Sequence, residues 1–78
     1  MESDTKFKVA KIISEQANLQ QDNINEERTF EQLGLDELDQ IEIVMKVEEL
    51  FHIEITDDEV SKILCVKDLI SCVNKNIN

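Results

Sequence analysis

The sequence predicts an all-α fold, a small four-helix bundle of three longer helices and one short helix with a long first loop. Its 78 residues contain no proline and a single glycine, so most turn and strand signals are missing. Apolar residues instead recur at helical spacing in separate segments. With 41% apolar residues the chain is not a disordered acidic tail, and its length indicates one domain over residues 1–78.

The first helix is predicted from about Thr5 to Ala17, with Asp4 as its N-cap. Four residues recur at helical spacing and define its apolar stripe. They are Phe7, Ala10, Ile13 and Ala17.

A long connection is predicted over residues 18–35. A loop of this length in a small domain needs apolar side chains of its own to hold it against the core. The candidates are Leu19, Ile24, Phe30, Leu33 and Leu35. Gly34 supplies a permissive backbone just before the next helix.

The second helix is predicted to begin after Asp36 as N-cap and to run to about Phe51. The carboxylates of Asp36, Glu37 and Asp39 lie in its first turn, where the helix dipole favours negative charge. At 100° per residue, one arc of the helix is apolar and is expected to be buried. Its members are Ile43, Val44, Val47, Leu50 and Phe51.

Two further helices complete the bundle. The sequence Thr-Asp-Asp-Glu at 56–59 is a capping box that opens a short third helix ending near Ile63. The fourth helix is predicted to begin near Val66, with one apolar stripe along its length. That stripe consists of Val66, Leu69, Ile70, Val73 and Ile77.

The net charge of −10 argues against binding to nucleic acid phosphates or to an anionic membrane. It favours protein partners with basic patches and a salt-sensitive encounter. The alternative is that the acidity only keeps a small protein in solution. We expect a monomer.

The two cysteines, Cys65 and Cys72, are seven residues apart, and their spacing matches no zinc pattern. Along a helix this spacing separates the sulfurs by about two turns, too far for a disulfide, so we expect two half-buried thiols and a reducing compartment.

The N-terminal residues lack the features of a signal or transit peptide. We therefore expect a cytoplasmic protein, or the processed form of a protein of an organelle matrix.

The second helix carries more apolar surface than its own core stripe needs. Leu38, Ile41 and Met45 occupy a separate sector beside the carboxylates of Glu37 and Glu48. Apolar residues next to acids are typical of a docking surface, in which the acids meet lysine or arginine and the apolar side chains fill shallow pockets. The alternative is that these three residues pack against the first loop.

Several stretches of the sequence, in order and spacing, resemble the acyl carrier protein family over residues 7–77, nearly the whole chain. They are 11–16 (Lys-Ile-Ile-Ser-Glu-Gln), 29–34 (Thr-Phe-Glu-Gln-Leu-Gly), 38–45 (Leu-Asp-Gln-Ile-Glu-Ile-Val-Met), 48–51 (Glu-Glu-Leu-Phe), 54–55 (Glu-Ile) and 57–59 (Asp-Asp-Glu).

The resemblance implies a four-helix carrier fold whose interior can admit an acyl chain. It also implies a set of residues that bind basic patches on enzymes of fatty-acid or lipid metabolism, or on assemblies that contain carrier proteins. Together with the two apolar residues of the docking sector, the predicted partner-binding residues are Asp36, Leu38, Asp39, Glu42, Met45, Glu48 and Glu49.

Position 37 departs from the pattern of that family. The resemblance places here the serine of an Asp-Ser-Leu motif, which receives a 4′-phosphopantetheine arm from coenzyme A, whereas this chain has Glu37. Attack by a carboxylate would give a mixed anhydride that hydrolyses readily, and a group of pKa near 4 is a weak nucleophile. We therefore expect no cofactor on this sequence. The charge of Glu37 approximates that of the phosphodiester it replaces, or Glu37 simply suits a helix N-terminus.

Other chemistry is not supported by the sequence. His52 is the only histidine and is expected to be a surface residue. Residues 36–47 do not form an EF-hand loop, because Ile41 and Val47 stand where glycine and glutamate are required. With no nucleophile–base pair and no phosphate-binding glycine loop, we expect neither an enzyme nor a metal site.

Three functions remain open from the sequence. The first is a carrier-type module that has lost its attachment residue and acts by docking. The second is a working acyl carrier whose serine was replaced artificially. The third is an acidic helical adaptor unrelated to acyl transfer.

Overall fold

The computed structural model describes the backbone of residues 2–77, and all side chains in that range except those of residues 2, 3 and 23. Four α-helices are present over these residues. They are α1 (Glu2–Ala17), α2 (Glu37–Phe51), α3 (Asp57–Ser61) and α4 (Val66–Ile77), with a short 3₁₀ helix at Gln21–Asn23. The predicted all-α bundle of three longer helices and one short helix is confirmed.

Helix α1 contacts both α2 and α4, and α2 also contacts α4. Gln16 near the end of α1 bonds to the first turn of α2, whereas Lys8 lies over the ring of Phe51 at the end of α2. The two helices therefore run in opposite directions. Among the residues that the structure describes, no helix is long and apolar enough to cross a bilayer.

Helix α1 differs from the prediction at its start and on its buried face. It already includes Asp4, which is therefore not its N-cap. Phe7 is 62% exposed, whereas Val9 and Ile13 are fully buried. Phe7 lies two positions from Val9, or about 200° around the helix, so burial of Val9 turns Phe7 outward.

Helix α2 follows the prediction at both ends. Its N-cap is Asp36, and it ends at Phe51 before His52, which has the left-handed φ of 56°. Ile43, Val44 and Val47 are buried as predicted.

Leu50 was predicted to share the buried face of α2 but is 48% exposed, beside Lys46, Glu49 and His52. It has the angular position of a core residue. Helical periodicity gives only the direction of a side chain and does not show whether another element covers that turn.

The two C-terminal helices begin close to where the sequence indicates. Thr56 caps α3 through the predicted capping box with Glu59, and the helix ends at Ser61, two residues before the expected end. Helix α4 begins at Val66 and buries four of the five predicted residues. The fifth, Ile77, is the last residue of α4 and is 42% exposed.

The first loop is held partly by apolar side chains and partly by the backbone. Phe30 and Leu35 are buried and Ile24 and Leu33 are half-buried, as predicted, but Leu19 is exposed. The amides of Val66 and Lys67 at the start of α4 donate to carbonyls of the loop at 3.1 and 2.8 Å. Gly34 has a φ of 79°, in the left-handed region that glycine adopts at little cost.

The core contains residues from α1, the first loop, α2, the segment 55–63 and α4. Among the side chains that the structure describes, its buried apolar residues are Val9, Ile12, Ile13, Phe30, Leu35, Ile43, Val44, Val47, Ile55, Ile63, Val66, Leu69, Ile70 and Val73. Cys65 and Cys72 are free and half-buried, as the sequence predicted.

Candidate functional site

Glu37 is the first residue of α2, and its side chain is exposed to solvent. Its position is fixed by a reciprocal capping box between its neighbours. The Asp39 amide donates to Asp36 Oδ1 at 2.9 Å, and the Asp36 amide donates to Asp39 Oδ2 at 3.2 Å. Two otherwise unpaired amides of the helix N-terminus are thereby satisfied, and Glu37 is exposed at a well-defined helix start.

The apolar sector of α2 is exposed. Leu38 is 71% exposed, Met45 59% and Ile41 44%. Their exposure disfavours the alternative in which these residues pack against the first loop. A row of exposed apolar side chains on one helix face is typical of a surface that binds another molecule.

Two of the predicted partner-binding acids are held by a single side chain of α1. Gln16 Nε2 donates to Asp39 Oδ1 at 2.9 Å and to Glu42 Oε2 at 2.6 Å. The amide oxygen of Gln16 accepts from Lys46 Nζ at 3.1 Å. The hydrogen bond from Gln16, with the backbone bond from Asp36, lowers the pKa of Asp39. These hydrogen bonds orient the carboxylates of Asp39 and Glu42.

The Glu48 carboxylate forms a hydrogen bond with the backbone of the same chain. Its Oε2 accepts a hydrogen bond from the Ile55 amide at 2.8 Å, and its side chain is half-buried. This carboxylate closes the loop between α2 and α3, so its role in partner binding stays a prediction. Glu49, in contrast, is exposed on the outer surface of α2.

Sequence reasoning missed Gln16. An isolated glutamine near the end of a helix gives no signal of its own, because its partners are 23 to 30 residues away in the sequence. The nearest signal is the antiparallel pairing of α1 with α2, which places the end of one helix beside the start of the other. Only the packed structure shows which α2 residues face it.

An open cleft of about 730 Å³ lies beside Glu37. Its floor consists of the buried side chains of Phe30, Leu35 and Ile63. Leu64, which is 68% exposed, forms one lip of the cleft, and Glu37 lies at another. The sequence did not indicate this cleft, because its walls come from three separate segments.

A second cluster joins α3 to α4. Glu59 Oε2 accepts from Asn76 Nδ2 at 3.1 Å and lies 3.6 Å from Cys72 Sγ. Hydrogen bonds, first from Asn76 and then from the Thr56 amide, lower the pKa of Glu59 to about 2. Burial, and then the charge of Glu59, raise the pKa of Cys72. This cluster stabilises the packing of α3, and its thiol is not activated.

The described residues do not bring together a group of acids, histidines and cysteines that could hold a metal ion. His52 is exposed, as predicted, and its left-handed backbone ends α2. The α2 surface exposes the apolar side chains of Leu38, Ile41 and Met45 beside acidic side chains.

Comparison with known proteins identifies the family. Residues 8–73 match the family described as Phosphopantetheine attachment site. The chain is 43% identical over 75 residues to the acyl carrier protein of Zymomonas mobilis subsp. mobilis, covering 95% of this chain and 96% of that protein. The crystal structure of the acyl carrier protein from Thermotoga maritima matches with a TM-score of 0.79 and 43% identity, covering 90% of this chain and 82% of that one.

These matches confirm the resemblance to the acyl carrier protein family, which also implied a four-helix fold. Acyl carrier proteins are carriers and not enzymes, in agreement with the prediction from the sequence. The chain belongs to the phosphopantetheine attachment site family and is a homologue of acyl carrier proteins.

Proposed function

We propose that this chain is a carrier-type docking module of fatty-acid or lipid biosynthesis that does not carry the 4′-phosphopantetheine arm. The observation that carries the proposal is Glu37, an exposed carboxylate at the first position of α2, where we place the attachment serine of the family. Residues 30–55 contain no serine or threonine, so no neighbouring hydroxyl can replace it.

The other described hydroxyls support the absence of the arm. Thr5 and Ser14 are buried in α1. Thr29 and Thr56 accept hydrogen bonds from backbone amides at the start of a turn and of α3. The Ser61 hydroxyl donates to the Asp58 carbonyl, and Ser71 lies on α4. None of these residues lies at the start of a long helix beside an open cleft.

The chemistry of the carboxylate supports the same conclusion. Attachment would require an oxygen of residue 37 to attack the pantetheine-side phosphorus of the coenzyme A pyrophosphate, to displace adenosine 3′,5′-bisphosphate and to keep the phosphopantetheinyl group. An acyl phosphate formed by Glu37 would return to the free carboxylate by hydrolysis, whereas a serine phosphodiester persists.

The proposed docking surface combines the exposed sector of Leu38, Ile41 and Met45 with the neighbouring acids of α2. Its partners would be acyl-metabolism enzymes, or assemblies containing carrier proteins, that present basic patches. The exposure of this apolar sector and the net charge of −10 support this surface. We place its action in the cytoplasm or an organelle matrix, as a monomer.

Intact-mass measurement tests the loss of the arm. The chain is incubated with coenzyme A and a phosphopantetheinyl transferase, alongside the variant Glu37→Ser. We expect the mass of the original chain to stay constant and that of Glu37→Ser to increase by one phosphopantetheinyl group. A gain by the original chain would overturn the proposal. Failure of Glu37→Ser to gain the group, while a working carrier gains it, would show that position 37 is not the attachment point.

The second candidate is a working acyl carrier in which an artificial change replaced the serine. The family match over residues 8–73 favours it, because that family is described by the attachment site. The mass experiment gives the same result for both candidates. The sequence of the natural gene distinguishes them. Codon 37 specifies serine if the second candidate is right and glutamate if the first is right.

A further inference from the structure

The cleft beside Glu37 combines an apolar floor with an acidic rim. Phe30, Leu35 and Ile63 form the floor, and Leu64 exposes an apolar side chain at its edge. Glu31 and Glu37 are exposed at the rim, and the side chains that line the cleft include no lysine or arginine. The cleft therefore offers apolar contacts below and negative charge above.

Backbone and side-chain hydrogen bonds fix the walls of this cleft. The Phe30 amide donates to the Leu64 carbonyl at 3.3 Å, and the Leu35 amide donates to the Phe30 carbonyl at 2.9 Å. Gln40 of α2 donates a hydrogen bond from Nε2 to the Ile63 carbonyl at 3.1 Å. Because all three walls are joined, a ligand would bind a preformed cleft and would not need to order it first.

The size of the cleft limits what fits. About 730 Å³ lies within the range of roughly 300–1,000 Å³ that is typical of clefts binding a drug-sized ligand. One apolar side chain does not fill this space. An apolar side chain together with the aliphatic part of a neighbouring lysine or arginine would contact both the floor and the rim of the cleft.

We propose that this cleft is the anchor site for a basic partner segment, in which an apolar side chain enters between Leu64 and α2 and an adjacent lysine or arginine meets Glu31 and Glu37. The inference rests on the proposed docking function and locates the partner's anchor in the cleft, beyond the outer face of α2. Truncation of a buried anchor at a protein interface has a larger effect than loss of a charge at the rim.

Charge complementarity favours this occupant over a free anionic amphiphile. The carboxylate of a fatty acid would lie close to Glu31 and Glu37, where like charges repel. A cationic side chain at the same place is attracted by both. The rim therefore selects a positively charged group above an apolar one.

The test uses isotope-labelled full-length chain and a synthetic amphipathic helix of leucine, arginine and alanine. A matched peptide with glutamate in place of arginine, and decanoate, serve as competitors of opposite charge. Leu64→Ser and Glu31→Gln change the cleft, and Leu19→Ser and Glu15→Gln are the matched exposed controls. Leu38→Ser and Glu49→Gln change only the outer face of α2. Dissociation constants come from amide chemical shifts at low salt, which also show that each variant is folded.

We expect Leu64→Ser to weaken binding of the arginine peptide at least about fivefold and Glu31→Gln about two- to threefold. The controls should keep the original affinity, and the glutamate peptide and decanoate should bind more weakly than the arginine peptide. Equal binding of decanoate, or no binding of the arginine peptide, would overturn the inference.

One outcome separates this inference from the proposed function. If Leu38→Ser weakens binding while Leu64→Ser and Glu31→Gln do not, the anchor is not in the cleft, but docking through α2 stands. Loss of the proposed function itself is detected independently, by attachment of the arm to the original chain.

Discussion

Gln16 Nε2 lies 2.9 Å from Asp39 Oδ1 and thereby joins the end of α1 to the first turn of α2. The same nitrogen contacts Glu42, and the amide oxygen accepts from Lys46. One uncharged side chain thus orients two acids of the proposed docking surface. The arrangement on α2 depends in this way on a residue outside that helix.

Replacing Gln16 with alanine is expected to raise the pKa of Asp39, because the largest cause of its lowered value is removed. Carbon-13 NMR titration of the Asp39 carboxyl group measures this change. A general loosening of the structure would shift many resonances, whereas we expect the largest pKa change at Asp39. Gln20→Ala, at an exposed position in the first loop, is the control, and an equal rise there would contradict the prediction.

Removal of the charge at position 37 is expected to weaken binding of the basic synthetic helix. Glu37→Gln and Glu37→Ser should both lower its affinity by about two- to threefold at low salt, because each removes one exposed carboxylate from the binding surface. The difference should fade at high salt, where exposed charges are screened. Isothermal titration calorimetry at two salt concentrations measures the effect. Unchanged binding by both variants would show that the charge of Glu37 has no part in docking.

Two leucine-to-alanine substitutions should differ strongly in how much they lower the free energy of unfolding. Leu69 is fully buried in the core, so Leu69→Ala should lower the free energy of unfolding by about 2–5 kcal/mol. Leu50 is 48% exposed, so Leu50→Ala should cost less than about 1 kcal/mol. Urea denaturation followed by circular dichroism gives both values. Similar losses in the two variants would mean that Leu50 belongs to the core, as its angular position alone suggests.

The acid stability of the packing between α3 and α4 should depend on Glu59. Its pKa is about 2 in the folded chain against an ordinary value of 4.5, so its carboxylate stabilises the fold fully above pH 4.5. That contribution should decline as the pH falls from 4.5 and be lost below about pH 2. Urea denaturation over this pH range should therefore show the original chain and Glu59→Gln converging in stability. The exposed Glu54→Gln is the control, and equal convergence there would contradict the assignment to Glu59.

Much of the fold could be predicted from local sequence. Asp36 was identified as an N-cap from its residue type at the start of a helical segment, and Thr56 from a capping box with Glu59, three positions further on. Leu38 and Met45 were assigned to an exposed sector because helical periodicity separates them from the core stripe. These features depend on residues close together in the chain.

Other features of the fold depend on which helices and loops pack against one another. Phe7 and Leu50 were assigned to buried faces, yet both are substantially exposed. Phe7 points away from the side of α1 that packing buries, whereas Leu50 has the direction of a core residue and is still exposed. Glu48 was assigned to partner binding, but its carboxylate bonds to the Ile55 amide across the loop after α2. No periodicity within α2 could reveal that acceptor role.

By itself the sequence determined the all-α class, the capped start of α2 and the presence of Glu37 in its first turn, because helix formation and capping are set by residues within about one turn of each other. Tertiary structure alone decided that Gln16 holds Asp39 and Glu42, and that Leu64 and Glu37 line the same open cleft. These relationships join residues more than twenty positions apart. They exist only after burial of the common apolar core has brought the four helices together.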